Sequence, residues 1–450
     1  MPREYDLVVV GAGPAGLMAA KTAAEQGLRV ALVERKERIT DINRACSMML
    51  VTLTGKYLEE RVRLNSRDRK LCFPGYGFTV TYDGPHQDFY TWAIYSHRGN
   101  RVRLGSYEEN ARKGEGGRVS ATYDKGTLLR SLLEEARARK VDVFNPYNVI
   151  RTELRGGRVT VFTREGRCFR GAFVIAADGR ASRIAHTLGC NRGRAYFGTA
   201  ITLGYEMVGV NPPEKFALFQ IFLDETPSMR VWMTPRATGD SHFVMTTSLT
   251  PGADHAGAFE RFSKKGFFAP WFEKAEITRT LTSAGNALSH LVDPYKDQVL
   301  LVSDAAWCQE AEMTGAVISG WKAGNAIAAA VREERAGILP RAIADYLQWW
   351  KTTYIEGYRH EDYIMNFALP FVIDTEEDLN YVFSLVQNPL PPCWNPYAAI
   401  GHLGQLMQSL VPRIQQEKPH ILAKLGRMSQ PILQILEPTA SVCKPLLDLK

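Results

Sequence analysis

The chain lacks the features that mark several protein classes. No apolar run reaches the ~18 residues that a membrane-spanning helix needs, and no dense block of Lys and Arg accompanies the net charge of +7. The seven cysteines are scattered and form no C-x-x-C pair, a pattern that suits a reducing compartment and offers no local zinc or iron–sulfur site. We therefore expect no membrane span, no nucleic-acid partner and no metal ion.

The overall amino-acid composition is that of a globular protein. The 450 residues are 45% hydrophobic and 23% charged, which is enough for a large core and more than one domain. The first apolar stretch lies in a strand-and-glycine pattern and lacks the basic region and cleavage site of a signal peptide. These properties predict a cytoplasmic protein, with association at a membrane surface as the alternative.

A glycine cluster follows a short apolar strand near the start of the chain. We predict this strand over 5–10, an alanine-rich helix over 17–26 and a second apolar strand over 28–33. The run between the first strand and the helix has the pattern G-x-G-x-x-G. Together these features predict a Rossmann-type unit that binds an adenine dinucleotide, and the alternative is a simple glycine-rich turn.

The residues of the glycine run have separate roles in that prediction. Gly11 permits the tight turn, Gly13 lets the backbone approach a diphosphate, and Gly16 lets the helix pack on the strand. Pro14 and Ala15 lie between the second and third glycines and are predicted to contact the cofactor. The diphosphate would then meet exposed N–H groups at the positive end of the helix that follows.

An acid ends the second strand. Glu34 stands where a carboxylate accepts the ribose hydroxyls, and an acid here disfavours the 2′-phosphate of NADP. Arg35 follows it and is predicted to contact the same cofactor. This unit alone predicts FAD or NAD without choosing between them.

Two aspartates far downstream make that choice. Asp178-Gly179 follows an apolar strand, and Asp304 ends another strand that precedes a glycine-bearing helix. In order and context they resemble the DG and GD motifs of the flavoproteins that include para-hydroxybenzoate hydroxylase-like monooxygenases, geranylgeranyl reductases and FixC-type proteins. The resemblance covers about residues 5–335 and implies that the cofactor is FAD.

The same resemblance implies where FAD would be held. Asp178 and Gly179 would lie at the cofactor, and Asp304 would bind a ribityl hydroxyl. The helix that begins near Gly315 and Ala316 would point its N-terminal amides at the flavin, which favours the negative charge of the reduced ring.

Four further residues match positions of the family. Arg44 falls where an arginine reaches the ribose and diphosphate, and Lys125 falls where many members have a basic residue near the cofactor. A surface cation is the alternative for both. Trp232 retains part of the Y-x-W-x-F-P motif that lines the reductases' substrate cavity, and Cys46 falls where they have Cys-Gly-Gly. We predict catalytic roles for these two, with a core tryptophan and a small buried thiol as the alternatives.

The segment 178–189 separates the branches of the family. It is closer to the reductase form D-G-x-x-S-x-(V/I)-A-x-x-L-G than to the hydroxylase form, which has an arginine that is absent here. Two residues depart from the family pattern, Ser303 in place of glycine and Ala311 near an expected proline.

The reductase resemblance implies hydride transfer from reduced flavin to a C=C bond of an apolar, isoprenoid or lipid-like substrate. The external electron donor would be NAD(P)H or a ferredoxin-like redox partner protein. Three alternatives stay open: a dehydrogenase that runs in the oxidative direction, a monooxygenase or halogenase, and a structural or electron-transfer flavoprotein.

The predicted fold class is α/β with additional antiparallel β structure. A Rossmann-type FAD-binding domain covers 1–190 and 285–335, with an aromatic-rich insertion at about 64–119 in which we find no motif. An antiparallel-sheet substrate domain covers 191–284, and a helical C-terminal region covers 336–450. The last helices are amphipathic and would pack on the core or on a partner subunit, with peripheral membrane contact as the alternative.

Overall fold

The computed structural model describes residues 4–50, 62–223, 229–250, 252–307, 313–365 and 368–436. Its strands, in chain order, are β1 (Glu4–Val10), β2 (Val30–Val33), β3 (Met49–Leu50), β4 (Arg63–Asn65), β5 (Lys70–Phe73), β6 (Phe78–Thr81), β7 (His86–Phe89), β8 (Trp92–Tyr95), β9 (Arg101–Leu104), β10 (Ser120–Tyr123), β11 (Asp142–Phe144), β12 (Val149–Arg155), β13 (Arg158–Thr163), β14 (Cys168–Ala176), β15 (Tyr196–Val208), β16 (Leu218–Phe222), β17 (Arg230–Pro235), β18 (Ser241–Ser248), β19 (Glu276–Leu288), β20 (Tyr295–Lys296) and β21 (Val299–Leu301). Its α-helices are α1 (Pro14–Glu25), α2 (Tyr107–Arg112), α3 (Lys125–Ala138), α4 (Arg183–Thr187), α5 (His255–Lys264), α6 (Met313–Ala336), α7 (Ala342–Trp350), α8 (His360–Met365), α9 (Leu369–Val372), α10 (Glu376–Ser384), α11 (Pro396–Glu417) and α12 (His420–Gly426).

The first sheet is built around the predicted nucleotide-binding strands. β11, β2, β1, β14 and β21 run parallel, and β12 and β13 extend β14 as an antiparallel meander. β1 and β2 are apolar and almost wholly buried, as expected for parallel strands covered on both faces. The register aligns Val10 with Ala176 and Val33, and Ala176 with Leu301, so the loops after these strands open at one edge.

Two helices cover this sheet side by side through glycine contacts. A Cβ on Gly320 of α6 would overlap the carbonyl oxygen of Ala15 in α1, and a Cβ on Gly324 would lie 2.8 Å from the carbonyl oxygen of Ala19. The absence of these side chains lets the backbones of α1 and α6 approach closely. The two helices therefore have a fixed register relative to each other.

The second sheet has the order β19-β15-β18-β17-β16-β8-β9. It is mostly antiparallel, as predicted, but β8 and β9 come from the aromatic-rich insertion, and β8 pairs with β16 in parallel. β19 continues to pair with β15 as far as Leu288, so the predicted domain boundary at 284 falls inside a strand. One face of this sheet packs Val231 and Met233 against α5 and the 3₁₀ helix Ala269–Phe272.

Another part of the insertion packs on the first domain. β4, β5 and β6 form a small sheet, and Phe78 of this sheet stacks on Trp321 of α6 with ring centroids 5.1 Å apart. β3, β10 and β7 form another small sheet. The contact of Phe78 with Trp321 gives one of the insertion's aromatic side chains a packing role that no sequence motif indicated.

The C-terminal region is helical, as predicted, and packs on the molecule. Ile414 of α11 and Ile421 of α12 are wholly buried, and Asp378 of α10 accepts hydrogen bonds from Lys424 at 3.0 Å and His420 at 2.9 Å. The segment before α11 joins the edge strand β9, where the Leu390 N–H donates to the Arg103 carbonyl at 2.8 Å. In the described part of the chain, no helix is both long enough and apolar enough to cross a membrane. The architecture as a whole confirms the predicted fold class.

Candidate cofactor and active site

A cavity of about 250 Å³ opens at the edge where β1, β14 and β21 end. Its other walls are the loop 41–46, the start of α3 and residues 283–284 of β19. The cavity therefore lies between the two sheets. Most of the predicted cofactor residues line it, namely Gly11, Gly13, Pro14, Ala15, Glu34, Arg35, Arg44, Lys125, Asp178, Gly179, Asp304 and Ala316.

The glycine run has the geometry of a diphosphate cradle. Gly11 has a φ of +98°, and Cβ atoms on Gly11 and Gly16 would overlap the carbonyl oxygens of Ala177 and Gly11. A Cβ on Gly13 would meet no described atom within 4 Å, because Gly13 faces the cavity at the N-terminus of α1. An anion at Gly13 would thus meet open backbone and the positive end of a helix. Gly16 lies behind the cavity wall.

Glu34 has partners within the protein as well as a place in the cavity wall. Its carboxylate accepts the Ala12 N–H at 2.6 Å and the Lys36 N–H at 2.8 Å, and the residue is 6% exposed. A carboxylate offers about four acceptor positions, so ribose hydroxyls can still bind. Arg35, beside it, is an exposed part of the lining.

The cavity gathers more cations than the sequence predicted. Lys36, Arg180 and Arg183 join Arg44 and Lys125 in the lining. Burial lowers the pKa of the Lys36 ammonium, Glu34 opposes this shift, and the nearby Lys125 and Arg44 add to it. Such a cluster of positive charge suits a ligand with several negative charges, such as a diphosphate.

Arg180 reaches the cavity by packing against a glycine of the second sheet. Its side chain crosses Gly285 of β19, where a Cβ would overlap the Arg180 Cδ atom. The space that admits Arg180 is thus created by a glycine more than a hundred positions away. Neither residue has a local pattern that indicates this pairing.

Asp178 lines the cavity with a carboxyl group that the described residues satisfy only in part. Its Oδ2 atom accepts the Ile184 N–H at 3.4 Å, whereas Oδ1 is buried and has no hydrogen-bond partner among the described residues. Burial raises the pKa of this carboxyl, and the hydrogen bonds from Ser182 and Ile184 only partly oppose that shift. A hydroxyl of a bound ligand would complete this acceptor, which fits the sugar portions of FAD.

The GD region shows one strained residue. Asp304 lies in a 3₁₀ turn, Ser303–Ala305, and Ser303 has a φ of +53°. This is the left-handed region in which glycine is at ease, and glycine is the residue that the family has here. Ala316 lines the cavity, whereas Gly315 is buried within α6 and is not in the lining. Ala311 lies outside the described residues.

Cys46 lies at the end of the cavity that meets the second sheet. Its carbonyl oxygen accepts from the Arg236 Nη1 atom at 3.0 Å, and Arg236 Nη2 pairs with Glu206 Oε1 at 2.5 Å. The Ala45 N–H donates to the Thr282 carbonyl at 3.1 Å. The second sheet therefore holds the loop that carries Cys46 and Arg44, and Arg236 is a positioning residue that the sequence did not reveal.

Trp232 lies away from the cavity lining. It is half-buried on β17 and stacks on Trp92 of β8, with ring centroids 6.3 Å apart. Trp394, from the segment before α11, contacts both rings at 6.3 Å and 4.8 Å. Of the two predicted catalytic residues, Cys46 therefore lies in the cavity lining, whereas Trp232 lies outside it.

Comparison with known proteins agrees with this geometry. Residues 4–310 match the family described as the FAD binding domain. The digeranylgeranylglycerophospholipid reductase of Methanocella arvoryzae is 26% identical over 340 residues, covering 74% of this chain and 79% of that protein. The enzyme of the same name from Methanosphaerula palustris is 23% identical over 394 residues, covering 84% and 89%.

A solved structure shares the fold over nearly the whole chain. It is a geranylgeranyl bacteriochlorophyll reductase-like protein from Thermoplasma acidophilum, with a TM-score of 0.69 and 18% identity. The match covers 95% of this chain and 99% of that one, so the C-terminal helices belong to the shared architecture.

Proposed function

This chain belongs to the FAD binding domain family, and we propose that it reduces carbon–carbon double bonds of an isoprenoid, lipid-like substrate. It is an FAD-dependent oxidoreductase related to geranylgeranyl reductases. The residues present fit FAD: Gly13 and the cationic cluster suit its diphosphate, and the orphaned Oδ1 of Asp178 suits a sugar hydroxyl.

The observation that carries the proposal is an apolar strip beside the cavity. Met245 of β18 and Trp232 of β17 are registered neighbours, and both side chains are half-buried. The Ser47 hydroxyl, next to the cavity residue Cys46, lies 3.8 Å from the Met245 sulfur. A thioether and an indole side by side offer a surface for an apolar chain rather than for a polar small molecule. The names of the Methanocella and Methanosphaerula relatives support the same substrate class.

Saturating a double bond requires a hydride on one carbon and a proton on the other. When bound and reduced, FAD supplies the hydride. We assign the proton to the Cys46 thiol, because this residue lines the cavity where it meets the second sheet. Arg236 holds the backbone of Cys46 in place, and water returns the proton to the thiolate after each turnover. The electrons would come from NAD(P)H or a ferredoxin-like protein.

The test is an anaerobic half-reaction. Purified FAD-loaded protein is reduced with dithionite, the excess is removed, and a geranylgeranyl lipid is added without oxygen. We expect the oxidised flavin spectrum to return and the lipid to gain two hydrogens for each bond reduced, as measured by mass spectrometry. Reoxidation only by air, with a hydroxylated product, would instead identify a monooxygenase. Flavin reduction by the saturated lipid would identify a dehydrogenase.

A further inference from the structure

The face of the second sheet that carries Trp232 is covered by two different parts of the chain. Val231 and Met233 point to the opposite face and pack with α5, so Trp232 between them points towards the first domain and the C-terminal region. Near β18 this face meets the cavity loop, through Ser47 and Met245. Near β16 and β17 the C-terminal region covers it.

The C-terminal cover is formed by aromatic contacts. Phe383 of α10 packs edge-on against Phe222 of β16, with ring centroids 6.0 Å apart. Trp394 packs against Trp92 and Trp232. The position of the segment that carries Trp394 is fixed by its hydrogen bonds to β9 and to Gly105. The apolar strip that starts at the cavity therefore ends at three tryptophans from three distant segments.

Two of these tryptophans have buried N–H donors that find no acceptor among the described residues. Trp92 is 3% exposed and Trp394 is 9% exposed, and neither Nε1–H finds an acceptor within the part of the chain that the structure describes. An unpaired buried N–H is costly, and native proteins seldom leave one without a reason. By contrast, the buried Trp350 donates its Nε1–H to the Leu291 carbonyl at 2.8 Å. Two such donors in one cluster indicate an acceptor other than the described residues, which we take to be a ligand.

The surroundings of the cluster suit a polar group that arrives with an apolar chain. Trp232, the third member, is half-buried and so is partly accessible from the strip. Arg230 lies two residues before it on the same face of β17, is 3% exposed and lies 5.5 Å from the Phe222 ring centroid. Its guanidinium brings positive charge to this end of the strip, and burial lowers its pKa to about 10.

We propose that Trp92, Trp232 and Trp394 form a subsite for the oxygen-bearing end of the isoprenoid substrate. The Nε1–H groups of Trp92 and Trp394 donate to that oxygen, whether hydroxyl, ether or phosphate ester. The apolar chain then extends along Met245 towards Cys46. The C-terminal region thereby becomes part of the substrate site. This inference rests on the proposed function, because it assumes an isoprenoid ligand.

The test separates the indole N–H from the ring. Trp92→Phe and Trp394→Phe remove the donor but keep an aromatic side chain. Trp349→Phe is the matched control, because the Trp349 Nε1–H is also buried without a described acceptor, but its ring lies beside Lys322 of α6, 5.4 Å from the ammonium. The ligands are geranylgeraniol and the hydrocarbon that lacks its hydroxyl. Each is titrated into oxidised FAD-loaded protein, and the Kd is read from the change in the flavin spectrum.

We expect each subsite variant to weaken geranylgeraniol binding about three- to tenfold, the effect of one lost hydrogen bond. Hydrocarbon binding should stay unchanged, and Trp349→Phe should change neither. Equal losses for both ligands, or no loss for either, would overturn the subsite. Thermal unfolding checks each fold, and if one variant fails to fold, the other carries the test.

Binding and turnover distinguish failure of this inference from failure of the proposed function. Alcohol-selective losses of affinity without any reduction of the lipid would keep the subsite and reject the reductase. Lipid reduction without an alcohol-selective loss of affinity would keep the reductase and reject the subsite. If wild-type protein binds neither ligand, both are rejected.

Discussion

The two ends of the cavity are built by different means. At the end near α1, backbone geometry and charge from neighbouring residues suffice, since Gly11, Gly13 and Glu34 come from one βαβ unit. At the end near the second sheet, Cys46 depends on Arg236, which is 190 positions away in the chain. Recognition of a widely used cofactor can thus reside in a short motif, whereas substrate recognition depends on how distant segments pack.

The largest effect on stability and FAD binding should come from adding a methyl group to Gly16, at the end of the cavity near α1. Gly16→Ala would force a Cβ into the Gly11 carbonyl, so we expect a loss of about 3 kcal/mol in the free energy of unfolding and no FAD retained on purification. Gly13→Ala is the matched variant, because its Cβ has room in the fold but projects into the cavity. It should keep the thermal stability of the FAD-free protein and lose FAD affinity. Equal destabilisation by both would contradict the separate roles of these glycines.

Removing the Cys46 thiol should impair catalysis at the end of the cavity near the second sheet and leave FAD binding almost unchanged. Cys46→Ala is expected to lower kcat about 100-fold, the lower range for loss of a proton donor. The Kd for FAD, measured by flavin fluorescence, should change less than about twofold, because the charges and glycines that hold the diphosphate are untouched. Cys46→Ser, which keeps an exchangeable proton, should recover part of kcat. Full activity of the alanine variant would remove Cys46 from the chemistry.

Removing the Arg236 side chain, which holds the Cys46 carbonyl, should have an intermediate effect on activity and stability. Arg236→Met removes the donor to the Cys46 carbonyl and leaves the Glu206 carboxylate without its partner. We expect about 2 kcal/mol lower stability, less than for a fully buried pair because the Glu206 side chain is 24% exposed, and about tenfold lower kcat. Arg261→Ala, which removes an exposed ion pair with Asp254, serves as the control. A drop in stability without any change in kcat would show that the contacts of Arg236 are structural only.

The partly unsatisfied carboxyl of Asp178 predicts that the stability difference between wild type and Asp178→Asn depends on pH. Burial raises the pKa of Asp178 above its ordinary 3.8, so its contribution to stability is present at low pH and is lost as pH rises through the folded-state value. In FAD-free protein, Asp178→Asn should therefore be more stable than wild type by about 1 kcal/mol at pH 7.5. The gain should vanish near pH 3.5. Thermal unfolding across this range checks it, and a gain that is independent of pH would contradict the assignment.

The smallest effect should come from the strained turn. Ser303→Gly places glycine at a φ of +53° and should raise the free energy of unfolding by about 0.5–1 kcal/mol. Ser303→Ala keeps the unfavourable backbone and should bring no gain. Chemical denaturation of the three proteins measures both. If alanine stabilises as much as glycine, the serine side chain rather than the backbone is responsible.

Sequence patterns identified the α1 end of the cavity well and its other end poorly. The glycine run, Glu34, Asp178 and Asp304 follow strands whose apolar character is local, so pattern and register together bring them to one edge. Arg180, by contrast, depends on space left by Gly285. The strands β8 and β9 join the second sheet through β16, more than a hundred positions later. Pairings of this kind depend on tertiary packing, which no local periodicity encodes.

The close approach of α1 and α6 has a consequence for which nucleotides can bind. Gly320 and Gly324 leave no slack between the two helices, so the diphosphate end at Gly13 and the wall at Ala316 are separated by a fixed span. A dinucleotide bound along this cavity would contact both Gly13 and Ala316. A mononucleotide such as FMN would lack the second phosphate and the adenosine, and would therefore lose the contacts at one of the two ends.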